Sequence, residues 1–133
     1  MKFLLDTNIC IYLIREKSPQ VLKQVTSRSP EDLALSSITV AELEYGVAKS
    51  AQSAKNAVAL EGFLRPFRVL DFGSVAAGAY GHVRAKLERL GNPIGPLDTL
   101  IGAHALSLGL TLVTNNPREF ARIEGLKIQN WAK

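Results

Sequence analysis

The chain has 133 residues, of which 47% are hydrophobic, and it carries 16 lysines and arginines against 12 aspartates and glutamates. This length and hydrophobic share fit one domain with one core that needs neither disulfides nor a structural metal. Because the chain lacks an apolar run of about 20 residues and signal-peptide sections, and has a single cysteine, we expect a cytoplasmic protein without a membrane span or internal disulfide.

Five short apolar runs predict β-strands, and the segments between them predict helices. In chain order, the predicted strands cover 2–5, 33–36, 67–72, 110–113 and 126–129. The predicted helices cover 7–15, 18–28, 38–50, 53–65 and 74–90, and another is predicted from Asp98 onward. Since strands alternate with helices, we predict an α/β fold: a single domain with a short, mostly parallel sheet of about five strands, flanked by α-helices.

Segment 91–96 is the clearest break in the chain, with two prolines and two glycines in six residues. Such a composition predicts a turn, and the flanking pieces are too small to hold separate cores, so the turn lies within the domain. It directly precedes the helix predicted at Asp98. We expect it to determine where that helix begins and where the Asp98 side chain points.

Three acids interrupt apolar surfaces: Asp6 ends the first strand, Glu42 lies within the third helix, and Asp98 opens a late helix. A lone carboxylate on an apolar face is costly unless it is paired, protonated or bound to a metal. Parallel strands deliver the groups that follow them to one edge of the sheet, so these acids are expected to share a pocket. The alternatives are structural: Asp6 as a helix cap, and Asp98 as a partner of its helix dipole.

The residue types in this pocket indicate a particular chemistry. Carboxylates and amides suit Mg²⁺ or Mn²⁺, and neither histidine has a metal-ligand partner at helical spacing. His104 is expected to be packed among apolar residues rather than to act as a base. A cation held by few carboxylates can acidify water and stabilise charge on a phosphate, which is the chemistry of a phosphodiesterase. Glu44, on another face of the Glu42 helix, is expected to face solvent or a partner.

Four motifs in order resemble the PIN-domain family, and most closely the VapC-type toxins of bacterial toxin–antitoxin pairs. The motifs are Asp6-Thr7-Asn8, Thr39-Val40-Ala41-Glu42-Leu43 with Gly46 beyond it, Asp98 before Ile101-Gly102-Ala103, and Thr114-Asn115-Asn116. The resemblance covers nearly the whole chain. It implies a Mg²⁺- or Mn²⁺-dependent endoribonuclease that cuts structured RNA, with the tRNA anticodon stem-loop as a candidate. It also implies a homodimer or higher assembly, and a cognate VapB-like antitoxin that covers the active site.

The resemblance also implies roles for individual residues. Asp6, Glu42 and Asp98 match three catalytic, metal-binding acids of the family, with Glu42 acting directly or through water. The fourth position is open between Asn116, where members often have aspartate, and Glu119 one turn later. Glu119 can equally be read as a surface acid beside Arg118 and Arg122. The expected supporting residues are Thr7, Asn8, Thr114 and Asn115.

Basic residues near the predicted edge are candidates for RNA contact, because phosphates attract lysine and arginine. They are Arg15, Lys17, Lys49 and Arg118. A net charge of +4 is compatible with this role but is also ordinary for a small domain. Tyr12 or Tyr45 could stack on a base, although packing in the core or a dimer is the preferred interpretation for both.

Two other functions compete with the nuclease hypothesis. A small Mg²⁺-dependent phosphatase would use similar acids, but it needs a lysine aligned with them, and the sequence offers no clear candidate. A module that binds a cation, nucleic acid or protein without catalysis is the second alternative. It is kept open by Asn116, which supplies an amide where a carboxylate is often found.

Overall fold

Strands and helices alternate along the chain, as the sequence predicts. The structure, a computed structural model, describes residues 1–132. Its elements are β1 (Phe3–Leu5), α1 (Thr7–Ile14), α2 (Pro19–Thr26), β2 (Leu33–Ser36), α3 (Ser37–Ala48), α4 (Ser53–Leu64), β3 (Arg68–Leu70), α5 (Ser74–Arg89), α6 (Pro96–Leu108), β4 (Thr111–Val113), α7 (Pro117–Phe120) and β5 (Ile128–Gln129). A short 3₁₀ turn, Pro30–Asp32, precedes β2.

The five strands form one sheet in the order β3-β2-β1-β4-β5, and the four neighbouring pairs are parallel. Phe3 of β1 is in register with Leu33 of β2 on one side and with Thr111 of β4 on the other. The predicted α/β fold is therefore confirmed. Strand order reverses between β1 and β4, and in open parallel sheets the crevice at such a reversal is where ligands bind.

Helices cover both faces of the sheet, and alternate residues of each strand point to opposite faces. Phe3 and Leu5 of β1 belong to one buried cluster, with side chains from α1 to α4. Leu4 belongs to the other cluster, with side chains from α5, α6 and α7. Cys10 is buried in the first cluster, and burial raises the pKa of its thiol well above the usual range, as expected for an inert core cysteine. No helix within residues 1–132 has the length and apolar character to cross a membrane.

Side-chain caps fix where the helices begin, and several boundaries differ by a few residues from the predicted ones. Asp6 caps α1, which was one of its two expected roles, and Ser36 caps α3 by accepting from the Ile38 N–H at 3.0 Å. The Ser37 hydroxyl instead accepts from the Phe72 N–H, which ties α3 to the end of β3. The last strand is shorter than predicted, and the four-residue helix α7 was not predicted.

Candidate active site

Asp6 lies where β1 ends beside β4. Its backbone N–H donates to the Val113 carbonyl at 2.9 Å, which holds it at the reversal of strand order. Its Oδ1 accepts from the Thr7 N–H at 2.7 Å, and its Oδ2 accepts from the Thr114 hydroxyl at 2.8 Å. The side chain is only 3% exposed. Asp6 is thus a helix cap and also a carboxylate held at the crevice, so the two interpretations do not exclude each other.

The surroundings of Asp6 act on its charge in both directions. Burial raises the pKa of its carboxyl, and the bonds from Thr114 and Thr7 lower it. The charges of Glu42 and Glu119 raise it further, and the net effect is an increase. Both glutamates are therefore close enough for their charges to act on Asp6.

Asp98 is half-buried in the first turn of α6, which begins at Pro96. Burial is the main cause that raises the pKa of its carboxyl to about 7, followed by the charges of Asp6 and Glu119. A hydrogen bond with the Glu119 carboxyl and the charge of Glu42 raise it further. The acid that follows β1 and those on α3, α6 and α7 therefore lie close enough for their charges to interact.

The loop before α6 brings Asp98 and Glu119 to the same place. A Cβ on Gly95 would lie 3.9 Å from both Asp98 Oδ2 and Glu119 Oε1, so the glycine sits between the two carboxylates. The Thr99 hydroxyl donates to the Gly95 carbonyl at 2.8 Å and secures this first turn. The break at 91–96 thus places Asp98, as its composition predicts.

Asn116 and Glu119 contact each other. The Asn116 side-chain amide donates to Glu119 Oε2 at 2.7 Å, and the Gly95 N–H donates to Glu119 Oε1 at 3.1 Å. The Asn116 N–H donates to the Thr114 hydroxyl, which itself donates to Asp6. Glu119 is half-buried and turned toward the other acids, and Asn116 holds it there.

Close packing of α6 against the chain after β4 supports this arrangement. A Cβ on Gly102 would come within 2.4 Å of Ile123 Cδ1 and 3.4 Å of Phe120 Cδ1. Only a residue without a side chain lets Phe120 and Ile123 approach α6 this closely. Since Glu119 directly precedes Phe120, the glycine on one helix helps to set the position of the acid on another.

Glu42 is half-buried on α3, and its Oε1 accepts from the Thr7 hydroxyl at 2.7 Å. Glu44 is exposed, as predicted. Glu42 lines a cleft of about 560 Å³ between α1, α3 and α4, together with Asn8, Arg15 and Lys49. Two of the four predicted RNA-binding residues therefore share a cleft with an acid of the site. Lys17 and Arg118 are exposed and lie outside its lining.

The remaining predicted polar and aromatic residues have different surroundings. The Asn115 amide donates to the Tyr12 hydroxyl at 2.8 Å, linking the loop after β4 to α1. Tyr45 is 66% exposed beneath Lys49, so it does not pack in the core of this chain. His104 is buried with its Nδ1 2.8 Å from the Ser36 hydroxyl, and burial lowers its pKa, as expected for a packed histidine.

Two observations bear on whether these residues suit a divalent cation. The four ion pairs found within residues 1–132 do not involve the acids of the site, which are Asp6, Glu42, Asp98 and Glu119. The charges of neighbouring acids add to the effect of burial and raise the pKa values of Asp6 and Asp98. In that part of the chain, no three histidine, cysteine, aspartate or glutamate side chains lie close enough together to ligate one cation directly, so at most two of the acids can do so at once. Carboxylate oxygens are the donors that Mg²⁺ and Mn²⁺ prefer, and Mg²⁺ is often bound by one or two carboxylates with water completing its coordination.

Sequence reasoning assigned no role to two residues beside the acids. Gly95 donates its N–H to Glu119, and the only sequence signal was its place in the 91–96 turn. Thr39 is fully buried on α3, and its Oγ1 lies 3.1 Å from the Thr7 Oγ1. Its spacing of three residues from Glu42 puts both on one helix face, and this spacing was the available signal.

Comparison with known proteins shows the family of the chain. A profile of the PIN domain matches residues 3–126. The tRNA(fMet)-specific endonuclease VapC of Shigella flexneri is 43% identical over 132 residues, which cover 99% of both chains. The DNA-bound VapBC structure from Salmonella typhimurium matches with a TM-score of 0.94 and 44% identity over 98% of each chain. VapBC2 from Rickettsia felis, bound to a DNA fragment from its promoter, matches with a TM-score of 0.93 and 39% identity over 98% of this chain and 99% of that one. The chain therefore belongs to the PIN-domain family, within its VapC ribonuclease group.

Proposed function

We propose that this protein is a cytoplasmic, Mg²⁺- or Mn²⁺-dependent endoribonuclease that acts as the toxin of a toxin–antitoxin pair. The observation that carries the proposal is the convergence of Asp6, Asp98, Glu42 and Glu119 at the reversal of strand order, without a basic partner among the ion pairs of residues 1–132. Uncompensated carboxylates in a sheet crevice favour a cation, and a cation in such a crevice favours phosphate chemistry.

The carboxylates of Asp6 and Asp98 would hold the cation, and Glu42 and Glu119 would act on it through water. A cation bound there supplies acidification of a water molecule and neutralisation of charge on the phosphate. The chain itself orients the ligands: Thr114 and the Thr7 N–H hold Asp6, and the Thr7 hydroxyl holds Glu42. Thr7 and Thr114 are therefore supporting residues in this proposal.

We assign the fourth acidic position to Glu119 and a positioning role to Asn116. Both Glu119 oxygens accept a hydrogen bond, one from the Asn116 amide and one from the Gly95 N–H. An amide that donates to a carboxylate orients it without adding a negative charge. Asn116 thus supports the site in this chain, and the charge comes from Glu119.

Structured RNA, with the tRNA anticodon stem-loop as the first candidate, is the proposed substrate. Its support is the Shigella flexneri relative and a 44% identical one from Salmonella typhimurium, both named tRNA(fMet)-specific endonucleases. Arg15 and Lys49 line the cleft beside Glu42, where they would contact phosphates. Lys17 and Arg118 would contribute to binding from outside that cleft.

A cognate VapB-like antitoxin is the proposed partner, and a homodimer or a larger toxin–antitoxin assembly is the proposed state. Support comes from the solved relatives, which are VapBC structures. The cleft beside Glu42 is lined by apolar side chains of α1, α3 and α4 as well as by the two basic residues. Such a mixed surface is suited to a protein partner that would keep RNA from the acids.

The decisive experiment is cleavage of purified initiator tRNA, with elongator methionine tRNA as the matched substrate control. We expect cleavage with Mg²⁺ or Mn²⁺, loss of cleavage with EDTA, and loss in Asp98→Asn. Glu44→Gln, an exposed change on the helix that carries Glu42, should retain activity. Cation-dependent stabilisation without cleavage of any RNA would favour a binding module instead, and turnover of a chromogenic phosphate ester would favour a phosphatase.

A further inference from the structure

Thr39 is 0% exposed and lies at the interface of α1 and α3. Its hydroxyl is 3.1 Å from the Thr7 hydroxyl, which is 2.7 Å from Glu42 Oε1. We propose that Thr39 is a positioning residue for Glu42 and acts through Thr7. The proposal rests on the proposed function, because it takes Glu42 to serve the cation site.

The direction of these hydrogen bonds follows from proton counting. An ionised carboxylate only accepts, so the single hydroxyl proton of Thr7 goes to Glu42. The contact between the two threonines must then use the proton of Thr39. Each bond polarises the next, so donation by Thr39 strengthens the bond from Thr7 to the carboxylate.

A threonine inside a helix commonly donates to the carbonyl one turn earlier. Thr26 on α2 does so, donating to the Leu22 carbonyl at 2.9 Å. Thr39 lies in the first turn of α3, where the residue four positions earlier belongs to β2, and its hydroxyl contacts Thr7 of α1. The side chain thus links two helices at a point one turn before Glu42.

Loss of the Thr39 hydroxyl should leave Thr7 with one partner fewer and Glu42 less restricted. A glutamate side chain has three rotatable bonds, and any rotational freedom that Glu42 gains must be lost again each time a cation binds. The expected change is weaker cation binding and a lower kcat, while RNA binding by the basic residues is unaffected. A general loss of stability would not lower cation binding and kcat while leaving RNA binding unchanged.

Thr39→Val and Thr39→Ser form the central pair of variants, since valine keeps the shape and serine keeps the hydroxyl. Thr26→Val is the control for removal of a helical threonine hydroxyl. In Thr39→Val we expect kcat to fall roughly fivefold to tenfold with KM for RNA unchanged. The Mn²⁺ concentration that gives half of the cation-induced rise in Tm should increase by a similar factor, and Thr39→Ser should restore both values.

The double variant Thr39→Val with Glu42→Gln shows whether Thr39 acts through Glu42. We expect the Mn²⁺ midpoint of the double variant to equal that of Glu42→Gln alone. An additional shift, or an unchanged midpoint in Thr39→Val, would overturn the positioning role. Those results would leave the nuclease assignment intact, whereas absence of RNA cleavage by the unmodified protein would overturn the proposed function itself.

Discussion

The two sides of the acid cluster handle negative charge differently. At the β1–β4 junction, Asp6 accepts hydrogen bonds from Thr7 and Thr114, and both lower its pKa against the effect of burial. On the α6 side, burial, neighbouring charges and a hydrogen bond with Glu119 all raise the pKa of Asp98, to about 7. The donors at the sheet junction thus favour the ionised form of Asp6, whereas the contacts of Asp98 favour its protonated form, and a proton or a cation on Asp98 relieves the repulsion.

Asp6→Asn gives the largest expected effect, because it removes charge from the better organised side while keeping the size of the side chain. RNA cleavage should fall roughly hundredfold or more, since a carboxylate ligand is lost rather than an outer contact. Cleavage rates at saturating Mn²⁺ and the Tm of the same sample measure the effect. A folded Asp6→Asn protein that cleaves RNA within a few-fold of the unmodified rate would contradict the assignment.

Much of the fold and part of the site could be predicted from the sequence. The apolar run before Asp6, the turn at 91–96 and the alternation of strands and helices predicted the fold and the positions of Asp6 and Asp98 within it. The strand order was not predicted, because it follows from pairing partners that are far apart in the chain.

The helical side could not be resolved in the same way. Whether Asn116 or Glu119 faces the acids depends on the Gly95 N–H, which lies 24 residues from Glu119 in the chain. The approach of Phe120 and Ile123 to α6 likewise depends on a glycine that local composition marks only as small. Thr39 has the appearance of an ordinary helix residue, and only the Thr7 hydroxyl at 3.1 Å gives it a role.

Changes at the Asn116–Glu119 pair test how the helical side obtains its charge. Glu119→Gln should lower cleavage by roughly tenfold to a hundredfold, and Asn116→Ala by less, because alanine frees the acid without removing it. Asn116→Asp should also lower cleavage, since it replaces the donor 2.7 Å from Glu119 Oε2 with a like charge. A rise in cleavage or in Mn²⁺ affinity for Asn116→Asp would show instead that position 116 supplies the fourth acid.

The raised pKa of Asp98 predicts how pH affects cation binding. A cation competes with the proton on Asp98. As pH rises toward 7, the Mn²⁺ concentration at half of the cation-induced rise in Tm should therefore fall by up to about tenfold per pH unit, and above pH 7 it should level off. Thermal melting at a series of Mn²⁺ concentrations and pH values measures this. Asp98→Asn should remove the pH dependence in that range; a midpoint that still changes with pH would assign the titration to another group.

In the protein without a bound cation, the raised pKa of Asp98 makes the free energy of unfolding depend on pH. Because the pKa of Asp98 is higher in the folded than in the unfolded protein, the folded state binds more protons between about pH 4 and pH 7. Stability of the metal-free protein should therefore fall as pH rises through this window, and the half-exposed position of Asp98 limits the effect to a few degrees of Tm. Asp98→Asn should melt higher than the unmodified protein at pH 8 in EDTA. Equal melting temperatures of the two proteins at pH 8 would mean that the ionised Asp98 carboxylate does not destabilise the folded state.

Gly102→Ala, the smallest of the changes in activity, separates position from charge on the helical side. The added methyl would lie 2.4 Å from Ile123 Cδ1, and overpacking of this kind costs about 1–3 kcal/mol. We expect a lower Tm, and a loss of cleavage of only a few-fold because no acid is removed. Gly81→Ala on α5 is the control, since no atom lies within 4 Å of its added Cβ and alanine favours helix. If Gly102→Ala melted normally yet lost cleavage as fully as Glu119→Gln, then the exact position of the acid would matter as much as its charge; if it lost stability alone, the packing of Phe120 and Ile123 would serve the core and not the site.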